Sequence, residues 1–230
     1  MHCQGPTVIK LGGSFAFSPD LKEWIAAIAG CVGCAVVVPG GGPFADQVRA
    51  LQKRQRFDDG AAHHMALLAM EQYGRMLAAL EPRLRPVASR AQLARAHRAG
   101  RPAVWMPTRM VLADPAIAAS WDITSDSLAA WLAGKLRARH LVLVKSVAVT
   151  NGATAADLAR RGIIDPAFPA YFRRSDAAAW CIDDAGYRAM ARALATGSGP
   201  GTRIIAKPRR LPLPKGMLTS RPDRPRTRRQ

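Results

Sequence analysis

The sequence predicts a three-layer αβα sandwich with an open, mainly parallel sheet. Short β-branched apolar runs alternate with helical spacings along most of the chain. Those runs are continuously apolar rather than alternating, the pattern of strands covered by helices on both faces. A chain of 230 residues with 49% apolar and 22% charged content can also bury a core without disulfide or metal staples.

The elements follow in order. Thr7 to Leu11 is a short β-rich run closed by Gly12-Gly13-Ser14. Pro19-Asp20 opens an amphipathic stretch to about Ala29, and Ala35 to Val38 reads as a buried strand stopped by Pro39 and Gly40 to Gly42. Phe44 to Phe57 has helical spacing, with Phe44, Val48 and Leu51 opposite Arg49, Lys53 and Arg54. Ala61 to Leu80 is a second helix, rich in Ala, Leu and Met, and Ala91 to Ala99 a third, ended by Gly100. Pro102 to Trp105 is a short strand, Thr124 to Arg137 a helix with an Asp/Ser start, and Leu141 to Lys145 another strand. Trp180 to Ile182 reads as a strand, Ala185 to Ala195 as a helix and Thr202 to Ile205 as a last strand. No internal repeat and no long linker interrupts residues 1–206, so they read as one domain.

Residues 207–230 differ in kind. From Arg203 onward ten Lys/Arg accompany a single acid, Asp223, so this end carries half of the net charge of +18. Prolines at 208, 212, 214, 222 and 225 deny it periodicity, so it reads as a flexible basic tail. Without interleaved aromatics or an RNA-binding signature, a solvated Arg-rich terminus is the better reading than a nucleic-acid contact. The uncharged stretch from Trp24 to Phe44 is broken by Gly30, Gly33, Pro39 and the glycine triplet, which excludes one spanning helix there. No basic-led apolar leader is visible, so the expected address is the cytoplasm. The cysteines at 3, 31, 34 and 181 do not make a disulfide framework. Cys31 and Cys34 lead into an apolar run and read as buried small residues rather than a metal or redox pair.

Three motifs carry chemistry. In V-I-K-L-G-G-S, Val8 to Ser14, a strand delivers Lys10 and then a turn whose backbone amides can approach an oxyanion. The lysine precedes the glycines, so this is neither a Walker loop nor a G-x-G-x-x-G fingerprint. In V-V-V-P-G-G-G-P-F, Val36 to Phe44, a second strand ends in a glycine loop that opens a helix. Three consecutive glycines cost conformational entropy unless backbone must pass close to something, and helix N-termini favour anions. Both loops follow early strands and should meet at one carboxyl edge of the sheet, where open α/β sheets bind ligands. Two such cradles suit two anionic partners, such as a nucleotide and an acceptor. In W-D-I-T-S-D-S-L-A-A, Trp121 to Ala130, capping alone would not require Asp122, Thr124, Ser125 and Asp126 together. Asp126 is therefore a candidate for positioning lysines or a metal around a transferring phosphoryl group.

This ordered set resembles the amino acid kinase superfamily over roughly Thr7 to Ile205. The resemblance implies an acceptor bound over the N-terminal half of the sheet, ATP over the C-terminal half, and Mg²⁺ as cofactor. It implies that Lys10 contacts the transferring phosphate and Asp126 organises the catalytic lysine. Gly12, Gly13 and Ser14 would then face the phosphates, while Gly40, Gly41 and Gly42 hold the acceptor. The run A-H-H-M-A-L-L-A-M-E-Q-Y-G, Ala62 to Gly74, together with W-D-I-T-S-D-S and L-V-L-V-K-S-V, is similar to a narrower branch, the aminomethylfuran-methyl phosphate kinases of methanofuran-type cofactor biosynthesis. That branch moves the γ-phosphate of ATP onto a phosphate monoester and makes a diphosphate.

Such an acceptor carries a phosphate and an ammonium. Arg109 is a candidate for the phosphate or simply a surface arginine; Asp122 is a candidate for the ammonium, and Thr124 in the same motif is a further candidate for binding the acceptor. Many relatives carry a late lysine near the nucleotide, but Gly162 to Pro169 has none, which leaves Lys145, or Arg173 and Arg174, for the second charge. At most one of His63 and His64 can face the site, because neighbours on a helix point about 100° apart. No protein-held metal is expected. The superfamily usually forms dimers or larger rings, and Ala61 to Leu80 is either core or such a contact. The same superfamily with another acceptor (UMP, isopentenyl phosphate or an acylamino acid) and a non-catalytic nucleotide-binding regulator are the alternatives.

Overall fold

The computed structural model describes residues 5–30, 35–196 and 198–206. The basic tail and Cys3, Cys31 and Cys34 lie outside the described residues.

Seven strands form one sheet: β1 (Thr7–Leu11), β2 (Ala35–Pro39), β3 (Arg85–Val87), β4 (Ala103–Trp105), β5 (His140–Val144), β6 (Ala178–Ile182) and β7 (Thr202–Ile204). Their order is β3-β4-β2-β1-β5-β6-β7. All neighbours run parallel except β6 and β7. The expected sandwich is therefore present, with one antiparallel edge.

The helices are α1 (Leu21–Ala29), α2 (Gly42–Gln55), α3 (Asp59–Leu80), α4 (Arg90–Arg98), α5 (Thr108–Leu112), α6 (Ser125–Leu136), α7 (Ala155–Arg160), α8 (Phe168–Ser175) and α9 (Tyr187–Thr196). A 3-10 turn, Gly13–Phe17, links β1 to α1. Period-two alternation divides the core in two. Ile9, Leu11, Val37, Val142 and Val144 face Trp24, Ile25 and Ile28 of α1, Met190 of α9 and Tyr73 of α3. Val8, Val36, Leu141 and Leu143 face Leu128 and Leu132 of α6, Phe168 and Phe172 of α8, and Leu67 of α3. The same alternation turns Lys10 toward α6, where a partner is needed if its charge is to be buried.

Local chemistry sets several boundaries. Asp58 accepts a hydrogen bond from Ala61 N at 2.8 Å, so α3 starts before the apolar spacing does. Ser89 Oγ accepts from Gln92 N at 3.3 Å while Gln92 Oε1 accepts from Ala88 N at 2.7 Å, a reciprocal cap that opens α4. β3 carries Pro86, which an edge strand tolerates and an interior strand does not. The structure adds β3, α5, α7 and α8 to the elements expected from sequence; each is short or interrupted by proline.

Candidate functional site

β1 has β2 on one side and β5 on the other, so the chain reverses its direction of travel across the sheet there. Leu11 sits in register with Pro39 and with Val144. The segments that follow these strands, Gly12-Gly13, Gly40 to Gly42 and Lys145, consequently leave from one carboxyl edge at the switch point, the usual ligand crevice of an open α/β sheet.

The two glycine loops touch. A Cβ on Gly13 would lie 2.1 Å from Gly42 N, and a Cβ on Gly40 would lie 2.3 Å from Gly13 N. Gly42 has φ +56°, a backbone that side chains rarely adopt. Gly40 N donates to Leu11 O at 2.9 Å and fixes one loop to the end of the neighbouring strand.

Beneath them lies an ionic cluster. Lys10 Nζ is 3.0 Å from Asp126 Oδ1, and Lys145 Nζ is 2.6 Å from Asp126 Oδ2. Lys10 is 6% exposed and Asp126 3%. Burial raises the Asp126 carboxyl, but Lys10 and Lys145 more than offset it and hold the group below the ordinary carboxylate range. Burial and the neighbouring Lys10 ammonium lower the Lys145 ammonium, and Asp126 compensates only partly. One carboxylate thus holds two cations at the edge where the two glycine loops leave the sheet.

Sequence reasoning missed Asp165. Its carboxylate accepts from Thr124 N at 2.9 Å, Thr124 Oγ1 at 2.5 Å and Ser127 N at 2.9 Å, and its own N–H donates to Asp126 Oδ2 at 3.3 Å. It stands in Gly162 to Pro169, a segment noticed for its missing lysine; the signal was the acid inside it. Burial and the nearby Asp126 raise its carboxyl.

A cavity of about 360 Å³ opens beside the glycine loops. Its lining includes Gly13, Ser14, Gly41, Gly42, Thr124 and Ser125, with Trp121, Arg49, Asp46, Asp59 and His63 further round. Arg49 lies over the Trp121 ring at 4.4 Å, and Trp121 Nε1 donates to Gln52 Oε1 at 2.6 Å. Gln52 Nε2 donates in turn to Asp59 Oδ1 at 2.8 Å. His63, not the exposed His64, borders the cavity; burial and then His64 lower its imidazole.

Other expected site residues lie elsewhere. Asp122 is exposed and is not part of that lining; its carbonyl accepts from Ala167 N at 3.1 Å. Arg109 is exposed on α5 and borders a separate depression with Arg90, Asp114, Trp131 and Lys135. Arg173 and Arg174 are exposed on α8, while Lys145 joins the cluster. No group of three or more His, Cys, Asp or Glu among the described residues could hold a metal ion. Asp126 is committed to two lysines and Asp165 to Thr124 and Ser127, so these two buried carboxylates do not fit a protein-ligated Mg²⁺. No helix among the described residues is long and apolar enough to cross a membrane.

These features define an α/β sandwich with a glycine-rich crevice at its switch point and a buried Lys–Asp–Lys cluster beside it. The model of the amino acid kinase family matches residues 5–153, and the chain belongs to that family. A [5-(aminomethyl)furan-3-yl]methyl phosphate kinase of Methanocaldococcus jannaschii is 26% identical over 144 residues, 61% of this chain and 65% of that protein. The match thus spans just under two thirds of that relative's length. Uridylate kinase from Archaeoglobus fulgidus superposes with a TM-score of 0.69 at 17% identity, covering 86% of this chain and 99% of that one. An isopentenyl phosphate kinase superposes with a TM-score of 0.57 at 16% identity, covering 86% and 99%. These superpositions establish the shared fold.

Proposed function

We propose that the chain transfers the γ-phosphate of ATP to a small phosphate monoester, and that the acceptor is an aminomethylfuran-methyl phosphate. The observation that supports this most is the bridge Lys10–Asp126–Lys145 beneath two touching glycine loops. An oxygen of the acceptor phosphate attacks the γ-phosphorus. The new P–O bond forms as the bond from γ-phosphorus to the bridging oxygen breaks, and ADP leaves with that electron pair. No proton has to move from an ionised acceptor, so the chain supplies position and charge. Lys10 and Lys145 neutralise oxygens of the transferring group, and the glycine amides hold the phosphates in line. Any Mg²⁺ would accompany the nucleotide's own phosphate oxygens.

The relative from Methanocaldococcus favours the furan acceptor. The cavity is in the size range of small-molecule sites, and Asp46 and Asp59 in its lining offer an ammonium its counter-charge. A second reading keeps the chemistry and changes the acceptor to a nucleoside monophosphate. Trp121, with Arg49 over its ring, is an aromatic group in the lining against which a base could stack. ATP-to-ADP turnover across the aminomethylfuran-methyl phosphate, UMP, isopentenyl phosphate and acetylglutamate decides between them, with Lys10→Ala as control. Turnover confined to the furan phosphate and lost in the variant is expected. Turnover with UMP alone would move the chain to the second reading. ATP binding without turnover of any acceptor would point to a regulator.

A further inference from the structure

We propose that Asp165 is a positioning residue that locks the first turn of α6 to the α7–α8 loop and so keeps Asp126, Lys10 and Lys145 in the geometry of transfer. The inference rests on the phosphotransfer reading.

The first turn of a helix leaves backbone N–H groups without partners. Thr124, the residue before α6, has extended backbone and makes no capping bond with its own side chain. Asp165 supplies the cap from 38 residues away, taking Ser127 N, Thr124 N and the Thr124 hydroxyl on its two oxygens. A cap alone would stop there. Asp165 also donates its own N–H to Asp126 Oδ2, the oxygen that Lys145 uses. Next along the loop, Ala167 N donates to Asp122 O, so both ends of the segment entering α6 are held. Thr124 and Ser125 border the acceptor cavity, whereas Asp165 is not part of its lining. Its influence on the reaction therefore passes through Asp126 and Thr124.

The charges agree with this role. Lys10 on β1, Asp126 on α6, Asp165 on the α7–α8 loop and Cys181 on β6 surround Lys145. Two carboxylates thus stand against two ammonium groups. The Asp165 charge supports the protonated form of both lysines. Without it, Lys145 deprotonates at lower pH, and the alkaline limb of the activity profile moves down with it.

The test compares the native chain with Asp165→Asn, Asp165→Glu and Thr124→Val, by turnover against pH and by NMR titration of the lysine ¹³Cε signals. Asp165→Asn should lower kcat about 10- to 100-fold, the scale known for residues that orient metal-binding side chains from behind. The KM for ATP should change little, and both the alkaline limb and the buried lysine titration should move to lower pH. Asp165→Glu should restore the titration and the limb, but only part of kcat. Unchanged kcat in Asp165→Asn, or a loss with the lysine titration unmoved, would overturn the proposal and leave a structural cap. If Asp165→Asn does not fold, Thr124→Val decides: lower kcat at an unchanged melting temperature supports the lock, and native kcat overturns it. If the native chain turns over no acceptor, the phosphotransfer reading fails, while the lysine titration still tests the hold of Asp165 on the cluster.

Discussion

Gly13 and Gly42 meet backbone to backbone: a Cβ on Gly13 would lie 2.1 Å from Gly42 N and 2.3 Å from its Cα. Two loops that follow separate strands thus form one surface. The nearest atoms are backbone and cannot swing away. We expect Gly13→Ala to destabilise the fold by about 3 kcal/mol, at the upper end for overpacking, and to remove activity. At Gly12 the nearest neighbours are the side-chain ends of Lys10 and Ser14, each at 3.3 Å, which can yield. Gly12→Ala should therefore cost much less. Chemical denaturation of the two variants measures the difference, and equal losses would contradict loop contact as the cause.

Asp126 links stability to pH. Its carboxyl is raised by burial but held below its ordinary value by Lys10 and Lys145. A carboxylate whose folded pKa is depressed contributes stability above its unfolded pKa and loses that contribution as pH falls through the folded value. The native chain should accordingly lose stability in acid as Asp126 takes up a proton. Asp126→Asn should flatten that part of the curve. It should also cost about 3–5 kcal/mol at neutral pH, because two buried ammonium groups lose their counter-charge. Melting temperature against pH for both proteins reads the two effects together.

Lys145 should behave in the opposite sense. Burial and Lys10 lower its ammonium, so in this fold its charge is held at a cost. Lys145→Met leaves the 3.0 Å pair of Lys10 and Asp126 intact and removes one of two like charges. We expect stability to change by less than about 1 kcal/mol while kcat falls about 100-fold, the scale of losing one electrostatic contact to a transition state. A variant that unfolds in step with its loss of activity would show that Lys145 serves the fold instead.

Much of this arrangement was legible in the residues. β1, β2 and β5 stood out because they are short runs rich in Val, Ile and Leu, and Lys10, Asp126 and Lys145 because each sits near the end of a strand or the start of a helix. Asp165 did not stand out. Its importance comes from bonds to Thr124 and Ser127, and no local spacing announces contacts across so long a stretch of chain. Arg109 and Asp122 show the complementary difficulty. Their sequence contexts suggested the site, yet α5 carries Arg109 to another depression and Asp122 offers its backbone carbonyl, not its side chain, to the α7–α8 loop. β3 and α7 escaped notice because three and six residues are too few to show a period.

Trp121 gives the sharpest test of the acceptor side. Its ring lines the cavity, Arg49 covers it at 4.4 Å, and Gln52 fixes the indole N–H at 2.6 Å. The ring is therefore held in place before any ligand arrives, so little side-chain entropy is lost on binding. Trp121→Ala should raise the acceptor KM about tenfold, equivalent to ~1.4 kcal/mol of lost aromatic contact, and leave the KM for ATP unchanged. Gln52→Ala frees the ring without removing it and should give a smaller change in the same direction. Steady-state kinetics with each substrate varied in turn separates the two sites. An increase in both KM values would mean that Trp121 supports the whole crevice, and a change in neither would remove it from the acceptor pocket.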